Sequence, residues 1–204
     1  GVGLTRRATR KSAAASVTYQ DDGDFIVSEI ISRVELAISK CNAAAITSGV
    51  RWLHKYPAAV DIGTIFYPAG CGGGPFGFNG NNPVLYYGVD PYLKNGRGRR
   101  PNSVSAHWTS EDVDHPTSKP VKWMQWMIKR VSMNAGDIVL DPFMGSGTTG
   151  VACVKLNRKF IGVEIEPTYF DIACKRSEKA LKEPNLFREA PIRRKRMNFG
   201  ETWG

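Results

Sequence analysis

The stretch from Gly136 to Leu181 constrains the fold of this chain most. Gly136-Asp-Ile-Val-Leu-Asp141 reads as a strand, Gly147 to Leu156 as a helix, Lys159-Phe-Ile-Gly-Val-Glu164 as a second strand and Pro167 to about Leu181 as a second helix. Such a β-α-β-α unit is the signature of a parallel sheet. At its first strand-to-helix junction, Asp141-Pro-Phe-Met-Gly-Ser-Gly-Thr-Thr-Gly150 sets Gly145, Gly147 and Gly150 in Gly-x-Gly-x-x-Gly spacing, and glycines there let backbone approach a ligand closely. Glu164 follows 19 residues after Gly145, where an acid accepts hydrogen bonds from ribose hydroxyls. Together these features point to an adenosine-containing ligand, with a nicotinamide dinucleotide and S-adenosylmethionine both open. The plain structural alternative is a tight turn followed by a solvated acid. Asp141 tilts the choice of ligand: a carboxylate at the mouth of the loop repels a pyrophosphate and suits an ammonium or sulfonium.

The rest of the chain supplies elements around this unit. Ile26, Ile30, Val34 and Ile38 recur every fourth residue, as on one face of a helix, and Ala43 to Thr47 reads as a short buried strand closed by Ser48-Gly49. Ile62 to Tyr67 and Val84 to Tyr87 read as strands joined by a long glycine-rich, aromatic loop. Val121, Met124, Ile128 and Val131 describe an amphipathic helix with Pro120 in its first turn. Residues 1–20 resemble a basic loop, and the last 20 residues, with Arg193-Arg-Lys-Arg196, a basic tail.

Composition excludes several classes. With 42% hydrophobic residues the chain is globular, and its net charge of +9 at a pI near 9.5 favours a polyanionic partner. Cysteines at 41, 71, 153 and 174 form no Cys-x-x-Cys pair, and His54, His107 and His115 are the only histidines. Neither a metal site nor a disulfide framework is expected, and the setting reads as reduced and intracellular. No run approaches the roughly 20 apolar residues of a membrane span.

His115-Pro-Thr-Ser-Lys-Pro120, then Asp141 to Thr149, then Ile161-Gly-Val-Glu164 together resemble the DNA adenine-N6 and cytosine-N4 methyltransferases in their permuted, beta-class motif order. The resemblance covers residues 115 to 181 tightly and the preceding hundred more loosely. It implies an α/β, Rossmann-like S-adenosylmethionine-dependent methyltransferase fold, circularly permuted and lacking its N-terminal strands. It implies S-adenosylmethionine as cofactor, with His115, Thr117 and Lys119 against the methionine part and Asp141, Pro142, Phe143, Gly145, Ser146, Gly147, Thr148 and Thr149 forming the loop beneath. Glu164 would hold the ribose, and Ile165 and Phe143 would flank the adenine. Residues 1–88 would be the rest of the catalytic half of the sheet, 89–112 a short recognition insert, 113–183 the cofactor half and 184–204 a tail.

In this family the exocyclic amine of a flipped base attacks the sulfonium methyl, assisted by an Asp/Asn/Ser-Pro-Pro-aromatic tetrapeptide. No such tetrapeptide occurs in the chain. Asp90-Pro-Tyr92 lacks the second proline and reads as a turn, while Gly1-Val-Gly-Leu4 reads as residues just downstream of the motif. No catalytic residue is therefore expected in the chain, which by itself is expected to be inactive. A cytosine-C5 mechanism is disfavoured, because no cysteine follows a proline. Double-stranded DNA is the expected partner, adenine N6 is preferred over cytosine N4, and a homodimer is left open. DNA contact is expected from Lys94, Arg97, Arg99 and Arg100, with His107 and Trp108 nearby, and from Arg6 and Arg7. The cytoplasm of a bacterium, or of a phage-infected one, is the expected setting. The competing readings are a non-catalytic subunit to which a partner supplies the motif, and a nicotinamide oxidoreductase.

Overall fold

The computed structural model describes residues 23–68, 73–107 and 118–183. In chain order these form α1 (Gly23–Ser39), β1 (Ala43–Thr47), a 3-10 turn (Leu53–Lys55), β2 (Asp61–Phe66), β3 (Gly73–Gly74), β4 (Gly77–Phe78), β5 (Asn81–Gly88), α2 (Pro91–Lys94), β6 (Val104–Ser105), α3 (Val121–Val131), β7 (Ile138–Asp141), α4 (Thr148–Lys155), β8 (Lys159–Gly162) and α5 (Pro167–Lys182). Helix starts follow local chemistry. Pro120 precedes α3 as its N-cap, one position earlier than expected, and Glu166 caps α5 by accepting from Thr168 N, with Pro167 in the first turn where its missing N–H costs nothing.

The main sheet has the order β1-β5-β2-β6, with β5 antiparallel to β1 and β2, and β6 parallel to β2. Its centre is covered on both faces: Ile65 and Val84 are fully buried in the main core, and Leu85, which points the other way from Val84, is buried as well. The parallel pair β7–β8 forms a separate two-stranded sheet. Val139 and Phe160 turn one of its faces into the core shared with α3 and α4, while Ile138, Leu140 and Ile161 are exposed on the other. The expected β-α-β-α unit is therefore present, and one face of its sheet carries uncovered apolar side chains.

Helix α3 spans both sheets and shows their relative direction. Near its start, Trp123 meets the ring of Tyr67, just past the end of β2, edge-on with centroids 6.3 Å apart. Just before that start, Ser118 Oγ lies 3.4 Å from Thr148 Oγ1 at the end of the β7–α4 loop. Towards its end, Arg130 pairs with Asp90, which follows β5, at 3.5 Å, and Ser132 meets Asp137 and Arg158, which precede β7 and β8. The C-terminal ends of β1, β2, β7 and β8 thus share one edge of the molecule, and β5 ends at the opposite edge.

In the helical layer α3 touches β1 and α4, and α4 touches β8 and α5, so α3 lies between β1 and the helix that covers the β7–β8 pair. Among the described residues, no strand bonds the free edge of β1 or of β7. This accounts for a departure from expectation. Ala43 to Thr47 form the expected strand, yet all five are half-buried, because one side of the strand lacks a neighbour.

Candidate functional site

Two left-handed glycines shape the loop that follows β7, Gly145 at φ 51° and Gly147 at φ 76°. Side chains rarely adopt this region, which explains the residue type at both positions. Close packing is a second reason at Gly147: a Cβ there would lie 2.6 Å from Ala173 Cβ and 2.8 Å from its Cα, so α5 sits directly on the loop. At Gly150 a Cβ would meet Phe160 Cε1 at 2.9 Å and Ser177 Oγ at 3.0 Å. The motif thus combines a bent backbone with a helix pressed against it.

Charged groups fix the loop from three sides. Glu164 Oε2 accepts from Gly145 N and Oε1 from Glu166 N, both at 2.9 Å, so the acid past β8 holds the glycine loop. A carboxylate oxygen accepts more than one hydrogen bond, so both retain capacity for a ligand's hydroxyls. Asp141 Oδ1 accepts from Phe143 N at 3.0 Å and Oδ2 from Thr149 Oγ1, which fixes its carboxylate over the first turn of α4. From α5, Arg176 Nη1 donates to Ser146 O at 2.6 Å and to Ser146 Oγ and Thr148 Oγ1 at 3.2 Å.

These contacts divide the expected cofactor residues. Ser146 and Thr148 are buried, with their hydroxyls turned to Arg176 and not to the open side of the loop. Pro142 and Thr149 are half-buried at the loop, Lys119 is exposed just before α3, and Phe143 and Ile165 are exposed, Ile165 at 96%. Phe143, two residues before the Gly145 that Glu164 holds, and Ile165, next to Glu164 in the chain, leave two exposed apolar side chains close in sequence to that carboxylate's anchoring points, which suits a flat base joined to a diol. His115 and Thr117 lie outside the described residues. Arg176 is the residue that sequence reasoning missed; a helix arginine in Lys175-Arg176 carries no local signal of what it reaches.

The expected DNA-contact residues are not brought to this loop. Lys94, Arg97, Arg99 and Arg100 are exposed, but they follow β5 and therefore lie at the opposite edge of the sheet. Arg100 is stacked over the Tyr92 ring with its guanidinium carbon 4.3 Å from the centroid, and Asn102 holds this segment to Asp61 at the start of β2. His107, just past β6, is exposed towards the glycine-loop edge. Asp90-Pro-Tyr92 is a helix start: Asp90 Oδ1 caps Tyr92 N at 2.8 Å, and the Tyr92 ring is buried and not offered to a base. Arg6, Arg7, Trp108, Arg193 to Arg196 and Gly1-Val-Gly-Leu4 lie outside the described residues.

The groups whose ionisation burial perturbs are structural. Burial pushes the Cys153 thiol up to about 12, with the Asp141 charge adding to the effect and Arg158 opposing it. Burial likewise raises the Tyr86 phenol to about 12, against the lowering effect of Arg130. Among the described residues, no group of His, Cys, Asp and Glu side chains is disposed to hold a metal, and no helix is long and apolar enough to cross a membrane.

A family model described as "DNA methylase", covering N6 and N4 enzymes, matches residues 27–175. The chain is 38% identical over 101 residues to the type II methyltransferase M2.DpnII of Streptococcus pneumoniae, covering 46% of this chain and 36% of that protein. It is 46% identical over 73 residues to the DNA adenine methyltransferase YhdJ of Escherichia coli K12, covering 34% and 24%. These matches span only about a third or less of the relatives' own length. Among solved structures, the M1.HpyAVI–SAM complex superposes with a TM-score of 0.58 at 29% identity, covering 76% of this chain and 83% of that one. The Rossmann-like α/β fold expected from the motifs is the fold of this chain.

Proposed function

The chain belongs to the N6/N4 DNA methylase family, and from that premise we propose that it carries the S-adenosylmethionine-binding and DNA-contacting parts of a site-specific DNA methyltransferase. The proposed target is the exocyclic amine of adenine, a reading supported by the adenine-specific relative; cytosine N4 is the second reading. The observation that carries the cofactor assignment is Glu164, which braces the glycine loop with one hydrogen bond per oxygen and keeps acceptor capacity for a ribose diol. S-adenosylmethionine, when bound, supplies an electrophilic methyl group on its sulfonium. The chain's own residues bind and orient it. Gly145 and Gly147 bring backbone close, Phe143 and Ile165 offer apolar flanks to the adenine, and Asp141 sets a negative charge where a cation is favoured and a pyrophosphate is not. His115, Thr117 and Lys119 are proposed for the methionine end. A nicotinamide cofactor has no support beyond the glycine spacing.

The transfer step needs more than these residues provide. No Asp/Asn/Ser-Pro-Pro-aromatic tetrapeptide occurs among the 204 residues, and both β1 and β7 have an edge without a strand among the described residues. We therefore assign the tetrapeptide to a strand that joins these two edges. Whether that strand belongs to the same polypeptide or to a partner, the consequence for the 204 residues is the same: they bind and do not transfer. The proposed partner is double-stranded DNA, and the proposed setting is the bacterial cytoplasm, in keeping with the relatives' sources.

Incubation of the purified chain with methyl-labelled S-adenosylmethionine and mixed-sequence double-stranded DNA tests this. The expected result is saturable binding of both with no label in the DNA. Label in the DNA overturns the assignment of the tetrapeptide to another strand, and absence of DNA binding overturns the substrate.

A further inference from the structure

Strands β3 and β4 form a narrow ribbon between β2 and β5. Gly73 pairs with Phe78 and Gly74 with Gly77 around Pro75 and Phe76. Pro75 presets the first corner of the turn, and Gly77, at φ 124°, completes a conformation that other residues rarely adopt. At this tip Phe76 is wholly exposed and Phe78 is 86% exposed, and the neighbouring glycines have no side chains with which to shield the rings. A single exposed apolar residue is ordinary, but two exposed phenylalanines within three residues of one tip call for a partner.

The ribbon's position indicates which partner. Its root is fixed where Tyr67 N donates to Gly80 O at 2.6 Å, and Tyr67 rests on Trp123 near the start of α3. Ser118, just before that helix, meets Thr148 of the glycine loop, so ribbon and cofactor loop occupy the same edge. The tip reaches up to about 13 Å from Gly80, long enough to enter a duplex held at that edge. No acidic or basic residue occurs between Asp61 and Asp90. The tip therefore meets a polyanion without repulsion and contributes through its rings alone.

We propose that the β3–β4 tip is an aromatic wedge: Phe76 and Phe78 enter the DNA base stack beside the nucleotide to be modified. Enzymes that act on an exocyclic amine must take the base out of its stack, and an apolar side chain pushed between base steps lowers the cost of doing so. The inference rests on DNA being the substrate.

The test titrates the chain and a Phe76→Ala/Phe78→Ala variant against labelled duplexes, one fully paired and one with a single mismatch, over a salt series. A mismatch has part of the unstacking already done, so the parent chain should bind it several-fold more tightly. The variant should lose about tenfold in affinity and lose the mismatch preference. Its slope of log affinity against log salt should be unchanged, because no cation is removed. Equal binding of both duplexes by parent and variant overturns the wedge and leaves the DNA reading intact. No binding by the parent overturns both. A shift in the variant's sedimentation would assign the tip to a second copy of the chain, and a lowered urea midpoint would mean that the rings pack internally; either overturns the wedge.

Discussion

Replacement of Gly147 by alanine tests whether the cofactor loop is shaped by the helix behind it. Alanine at φ 76° costs about 1–2 kcal/mol in backbone strain, and alanine returns about 0.4–1 kcal/mol by restricting the unfolded chain, so these terms nearly cancel. Sterics then decide. The new Cβ would sit 2.6 Å and 2.8 Å from Ala173 Cβ and Cα, where carbon atoms prefer about 3.5–4.0 Å, so α5 must recede by about 1 Å. Overpacking of that kind costs about 1–3 kcal/mol, and with the backbone terms nearly cancelling the total loss is about 1–3 kcal/mol. Gly136→Ala is the internal control, since Gly136 has φ 83° but nothing within 4 Å of its Cβ position. It should cost less than about 1 kcal/mol. Urea unfolding of the parent and both variants gives the comparison, and Ala173→Gly should restore part of the Gly147→Ala loss. Equal losses at Gly147 and Gly136 would refute the seating of α5 on the loop.

Other perturbations follow from the same contacts. Glu164→Ala removes the acceptor of two loop N–H groups and should weaken S-adenosylhomocysteine binding by about 1–3 kcal/mol in calorimetry; unchanged affinity in a folded variant would contradict the role given to Glu164. Arg99→Ala, at the edge opposite the glycine loop, should leave both that affinity and the salt dependence of DNA binding unaltered, and a flattened salt slope would place Arg99 on the DNA surface. The neutral Cys153 thiol is favoured by folding, since its pKa is about 12 against 9.0 in the free side chain. Its contribution is fully present below pH 9 and is lost as pH rises towards 12, at up to about 1.4 kcal/mol per pH unit. Urea midpoints should accordingly fall less steeply above pH 9 in Cys153→Ala than in the parent; parallel slopes would deny the buried thiol that role.

Legibility from sequence followed the range of the interactions involved. β7, α4, β8 and α5 were readable because hydrophobic periodicity and glycine and proline punctuation act locally, and the elements lie within a few residues of the expected bounds. The β3–β4 ribbon was hidden in its own glycines, which carry little strand propensity, and β6 is only two residues long. The half-exposure of Ala43 to Thr47 depends on a neighbouring strand, a property no five-residue segment encodes. At the site, the glycine spacing and Glu164 were readable. The inward turn of the Ser146 and Thr148 hydroxyls was not, because it depends on Arg176 some thirty residues away. The far-edge position of Lys94 to Arg100 follows from β5 running antiparallel, and its sequence carries no mark of direction.

Calorimetric titration of the purified chain with S-adenosylhomocysteine, and separately with NAD, tests the central assignment most directly. One-to-one binding of S-adenosylhomocysteine that is diminished in Glu164→Ala, with no heat from NAD, is the result expected. Binding of NAD in preference, or of neither ligand by the folded chain, would contradict it.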